Sequence, residues 1–170
     1  AEEDFALCVS LDGTRDVFDR QRRTRSGESC FDQVVTNLTK AADYLPRLKI
    51  NSVFGPGTVA QLPETVEFLC GFGVPVELNM DVTTTWKEED LDHIEEVVPV
   101  IGEFYLDRYL NGNPVQLQPL GDHLLTGILG GTKPECRCTF GIGEMAVDVD
   151  GTIYPCERLI GYESTAIGHL

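Results

Sequence analysis

Three apolar runs, separated by stretches with helical spacing, constrain this chain's fold most. The first is Phe5-Ala6-Leu7-Cys8-Val9-Ser10-Leu11, which reads as a strand buried on both faces, as in a parallel sheet. The second and third occupy residues 48–54 and 74–80. After the first, Phe31, Val34, Val35, Leu38, Ala41, Ala42 and Leu45 recur at helical spacing, with Ser29 as cap, Asp32 in the first turn and Pro46 as stop. A second helix starts at Pro63, shows an apolar face at Val66, Leu69 and Cys70, and ends at Gly71 or Gly73. A third begins near Lys87 and resumes after Pro99, and residues 116–129 read as a short apolar helix. The order β-α-β-α-β-α predicts an α/β fold with parallel strands and right-handed crossovers. Three strands cannot close a barrel, so the expectation is a partial (β/α) barrel over residues 1–130. Its first strand reads as buried yet has no earlier neighbour in the chain, which predicts self-association through an exposed sheet edge.

Residues 131–170 carry a different pattern. Met145-Ala146-Val147-Asp148-Val149 alternates, Asp150-Gly151 predicts a two-residue turn, and Thr152-Ile153-Tyr154 forms a second strand. Cys138 precedes this hairpin and Cys156 ends it, which brings two thiols together in a small β-hairpin cysteine module. Cys136 is a third candidate metal ligand; metal binding is favoured over a disulfide because the chain reads as cytoplasmic. Cys8, Cys30 and Cys70 read as buried small hydrophobes or ordinary thiols.

Charge narrows the function classes. A net charge of −15 lacks the basic footprint of nucleic-acid binding and disfavours anionic membrane surfaces. No apolar stretch of about 18 residues is present to span a bilayer, and no signal peptide is visible. Against this background Arg15, Arg20, Arg22, Arg23 and Arg25 form a local basic island, read either as a solvated loop or as an anion or carboxylate site. The acidic group around Glu88, Glu89 and Asp90 reads as a solvated helix start, and Trp86 as a packing residue.

Two segments carry a resemblance. Ser10-Leu11-Asp12-Gly13, then Asp19 and Arg22, then Gly27 to Asp32, resembles the central barrel of radical SAM enzymes that carry a SPASM domain. Phe18 replaces their histidine, and Cys30 is inserted before Phe31-Asp32. Cys138-x12-Gly151-x4-Cys156 and the final Ala166-Ile167-Gly168-His169-Leu170 resemble the opening of the SPASM cluster domain. The resemblance implies a peptide- or protein-modifying maturase that uses a 4Fe–4S cluster and S-adenosylmethionine for hydrogen abstraction. It implies that Ser10 and Arg22 bind the cofactor and that Cys138 and Cys156 ligate an auxiliary 4Fe–4S cluster. Glu157 falls where some members have a catalytic aspartate; the plainer reading is a surface glutamate beside Arg158.

The three-cysteine motif of the radical-generating cluster and the later SPASM cysteines are absent from the chain, so the expectation is a segment of a larger enzyme, inactive alone. The alternative is a catalytically inactive half-barrel that binds a peptide or partner without a cluster. A zinc site from Cys136, Cys138, Cys156 and His169 or His123 is a third reading, on a poor finger spacing.

Overall fold

The computed structural model describes residues 6–128, 130 and 145–170. The chain divides into two compact units, residues 1–128 and 129–170.

In the first unit, β1 (Leu7–Ser10), β2 (Leu48–Phe54), β3 (Val76–Met80) and β4 (Leu117–Gln118) form one parallel sheet in that order. The intervening helices are α1 (Arg15–Gln21), α2 (Phe31–Ala42), α3 (Leu62–Cys70) and α4 (Glu88–Leu110), with α5 (Leu120–Ile128) after β4. The α/β architecture with parallel strands is therefore as expected, with one strand more than the sequence pattern gave. β4 is two residues long and ends at a cis Gln118–Pro119 bond, too short for a periodicity signal, so 116–129 read as helix throughout. Pro99 lies inside a single continuous α4 rather than between two segments.

The core lies on one face of the sheet. Leu48, Ile50, Val76 and Leu117 are buried there against Leu38, Val66, Leu69, Val97 and Ile101 of the helices. Burial on this face is the main stabilising term, roughly 1.5–3 kcal/mol per fully buried large aliphatic side chain.

The expectation that the first strand is buried on both faces is wrong. In β1 only Val9 is even half-buried; Leu7, Cys8 and Ser10 are exposed, because β1 is an edge strand of a sheet covered on one side. Cys8 is accordingly an exposed thiol, Cys30 is half-buried and only Cys70 is buried.

The polar stretch after β1 is no loop. It contains α1, whose Val17 and Phe18 are each 1% exposed. Phe18 meets Phe31 edge-on at 5.6 Å, Phe31 stacks on Phe68 at 6.0 Å, and Phe68 meets Phe72 edge-on at 5.3 Å. This aromatic file explains the departure at Phe18: the position is core, where an apolar ring is stable without a polar partner. Cys30, not Ser29, occupies the N-cap of α2; the Ser29 hydroxyl accepts the Phe31 N–H and donates to Asp19.

The second unit carries β5 (Ala146–Val147), β6 (Thr152–Tyr154) and β7 (Gly168–His169) as an antiparallel sheet with β6 central. The hairpin exists, but its turn differs from the expected one. Asp148 N–H donates to Thr152 O and Gly151 N–H to Asp148 O, both at 2.9 Å, which closes a three-residue loop of Val149, Asp150 and Gly151. A two-residue type I′ turn needs positive φ at Asp150 as well, and among the described residues only glycines have it. Gly151, at φ +91°, takes the left-handed position of a bulge instead.

Candidate functional site at the polar sheet face and the cysteine hairpin

Side chains alternate across a strand, and registered residues in a parallel sheet share a face. The pairs Cys8–Lys49, Ser10–Asn51, Asn51–Glu77, Val53–Asn79 and Glu77–Gln118 therefore place eight residues on the face opposite the core. Seven of the eight are polar or cysteine. Lys49 Nζ pairs with Glu77 at 2.7 Å, and Asn79 Nδ2 donates to Asn51 Oδ1 at 2.7 Å. Such a polar face is open to a ligand, and in (β/α) barrels the ligand sits at the C-terminal strand ends. The period-two signal of this face is present in Lys49-Ile50-Asn51 and Glu77-Leu78-Asn79, but each run is too short to stand out from the apolar strands around it.

Ser10 ends β1 on this face and is exposed. Immediately beyond it, Leu11 N–H donates to Asn51 O at 3.1 Å, and the chain enters a tightly fixed corner. Asp12 is 1% exposed. Its carboxylate accepts Arg22 Nε at 2.5 Å, Arg22 Nη2 at 3.1 Å and Val53 N–H at 3.0 Å. Its carbonyl accepts the hydroxyl of buried Ser52 at 3.1 Å. Gly13 follows at φ +151°, and a Cβ there would lie 2.6 Å from Thr65 Oγ1. Only glycine fits this corner.

Arg22 stands just past α1 in extended conformation, its N–H bonded to Phe18 O and its side chain 37% exposed. The other arginines of the island are dispersed. Arg15 pairs with Asp32 and lies over the Phe31 ring at 4.7 Å. Arg20 donates to Gly57 O at 3.2 Å and Gln61 Oε1 at 3.1 Å, and Arg23 to Gly27 O at 3.1 Å. The island is thus neither a solvated loop nor a single anion site. Most of its guanidinium groups fasten loops.

A cavity of about 330 Å³ lies between the sheet and α4, lined by Phe54, Leu78, Met80, Ile101, Leu120 and His123. Its walls are largely apolar, and of the residues expected at a site it touches only His123, named in the zinc reading.

In the second unit Cys156 is half-buried at the N-cap of a short 3-10 turn spanning Glu157–Leu159. Its thiol donates to Glu157 Oε2 at 3.4 Å. Glu157 is exposed, and its carboxyl is held below the usual range first by its own backbone N–H and then by the Cys156 thiol, with Arg158 adding a smaller pull. Cys136 and Cys138 lie outside the described residues. Among the described residues no group of three or more His, Cys, Asp or Glu side chains is placed to hold a metal ion. Nor is any helix among them long and apolar enough to cross a membrane.

No family model matches the chain. A cysteine-type anaerobic sulfatase-maturating enzyme of Clostridium novyi (strain NT) is 23% identical over 166 residues, covering 92% of this chain and 44% of that protein. Native anSMEcpe with bound AdoMet superposes with a TM-score of 0.76 at 18% identity, covering 98% of this chain and 47% of that one. Native anSMEcpe with bound AdoMet and Kp18Cys peptide gives 0.72 at 19%, covering 98% and 48%. The chain spans a little under half the length of the proteins it matches. The chain is thus similar in sequence to a cysteine-type anaerobic sulfatase-maturating enzyme and shares its fold with anSMEcpe.

Proposed function

We propose that the chain is the central and early C-terminal segment of a radical S-adenosylmethionine enzyme that modifies a peptide or protein substrate by hydrogen abstraction. Residues 1–130 form its partial barrel, and residues 131–170 begin a SPASM-type domain with an auxiliary 4Fe–4S cluster. The observation that carries the reading is Ser10 at the C-terminal end of β1, on a polar sheet face, with Arg22 paired to Asp12 two residues further on.

S-adenosylmethionine offers a carboxylate, an ammonium group and ribose hydroxyls, and on one-electron reduction by a 4Fe–4S cluster it would supply the hydrogen-abstracting 5′-deoxyadenosyl radical. The residues present suit those groups. Ser10 presents an exposed hydroxyl, and Arg22 a guanidinium of which one edge is used by Asp12. For the auxiliary cluster, Cys156 is the described ligand, to be joined by Cys138 and Cys136. Glu157, one residue on, is the proton acceptor from the substrate.

Equilibrium dialysis with S-adenosylmethionine tests the reading. The unaltered protein is expected to retain the compound, and Ser10→Ala or Arg22→Gln to weaken binding about ten- to hundredfold, as loss of a hydrogen bond to a charged group does. Absence of binding, or binding indifferent to both substitutions, contradicts it.

A further inference from the structure

We propose that Asp12 is a positioning residue that fixes the Arg22 guanidinium so that its outer edge receives the carboxylate of S-adenosylmethionine. The inference rests on the proposed function and adds a residue to it.

Asp12 is an ionisable side chain buried beside the strand ends, and its three donors come from two different places. Val53 N–H belongs to β2, so the carboxylate is anchored to the sheet. Nε and Nη2 belong to Arg22, which lies just beyond α1. Ser52 holds the Asp12 backbone carbonyl as well, which fixes the main chain that carries the carboxylate. Asp12 therefore transmits the fixed geometry of β2 to a side chain that would otherwise sample many rotamers.

The way the guanidinium is held matters. It has five N–H donors in one plane. Asp12 occupies the Nε/Nη2 edge, and these are the hydrogen bonds the guanidinium makes among the described residues. Both Nη1 hydrogens and one on Nη2 remain, which is the end-on edge suited to a second planar carboxylate.

The sign of the effect separates this role from a purely electrostatic one. Asp12 neutralises Arg22, so removing its charge raises the local positive potential. Were neutralisation its whole role, Asp12→Asn would tighten carboxylate binding. As a positioning residue, its loss weakens binding. In Asn the Nδ2 group faces a guanidinium that only donates, so the clamp opens.

The test is dialysis of S-adenosylmethionine and of its decarboxylated analogue against the unaltered protein, Asp12→Asn and Arg22→Lys, with thermal unfolding recorded for each. Asp12→Asn is expected to weaken S-adenosylmethionine about tenfold and to leave the analogue within twofold. Arg22→Lys, which keeps the charge but loses the fork, is expected to do the same. If Asp12→Asn does not fold, Asp12→Glu, which keeps the charge and shifts the guanidinium by one methylene, is expected to show the same selective loss. Equal weakening of both compounds makes Asp12 merely structural and overturns the inference, as does tighter S-adenosylmethionine binding. Failure of the unaltered protein to bind either compound overturns the proposed function and this inference with it.

Discussion

At the scale of single residues, the corner after β1 and the aromatic file decide most. Gly13 combines positive φ with a Cβ position that would overlap Thr65. Gly13→Ala is therefore expected to cost about 1–3 kcal/mol from backbone strain alone, with the clash in addition. Gly57→Ala, where a Cβ meets nothing within 4 Å, serves as the control and is expected to be near neutral in urea unfolding. Equal effects would refute the packing account of this corner. Phe18→Ala is expected to destabilise by about 3–5 kcal/mol, as truncation of a buried aromatic does. Thiol chemistry gives a third residue-level outcome. Burial pushes the Cys70 thiol up to about 11 against a smaller opposing pull from Arg108, whereas Cys8 is exposed. An alkylating reagent at pH 8 is expected to label Cys8 rapidly and Cys70 only on unfolding; rapid labelling of both in the folded protein would contradict this. Asp12 could not be read from sequence as a buried anchor, since an aspartate before a glycine signals a turn whether or not it is buried. Its role depends on Arg22 and Val53, ten and forty-one residues away.

At the scale of elements, strand and helix positions were legible where apolar periodicity was strong. Residues 48–54 were placed to the residue, and α2 follows the spacing of Phe31, Val34, Val35 and Leu38. Failure came where tertiary packing supplied what the local pattern lacked. α1 has only Val17 and Phe18 as buried residues amid charged neighbours, and β4 has two residues in all. The first apolar run was misread because an edge strand over a one-sided core can be as apolar as a buried one. The hairpin turn makes its own prediction. The Asp150 carboxylate accepts Thr152 N–H at 2.8 Å, and that backbone bond is the largest cause of a lowered pKa, with His169 contributing less. A group whose pKa is depressed by folding stabilises the folded state above its unfolded pKa, and this is lost as pH falls through the folded value. Hairpin stability is therefore expected to fall on acidification below about pH 4, the ordinary aspartate range. Asp150→Asn should flatten that dependence, followed by amide shifts of Thr152 and Gly151. An unchanged acid profile in the variant would remove Asp150 from the explanation.

At the scale of the whole molecule, two units carry different chemistry: a half-open parallel sheet with a polar face, and a small cysteine-bearing hairpin. Among the described residues no strand pairs with the outer edge of β1. Strand-edge pairing between copies is expected, seen as a concentration-dependent shift in size-exclusion chromatography; a monomer at all concentrations would contradict it. The candidate site was legible unevenly. Ser10 and Arg22 were legible as candidates because a motif carries them, whereas the polar sheet face was not, because it emerges only when four strands are set in register. A segment of a radical enzyme with an auxiliary cluster must bind iron. Anaerobic reconstitution with iron and sulfide, followed by iron content and the visible spectrum, is predicted to yield bound iron in the unaltered protein and its loss in both Cys138→Ala and Cys156→Ala. Absence of iron, or iron unaffected by either substitution in variants that still fold, would contradict the claim.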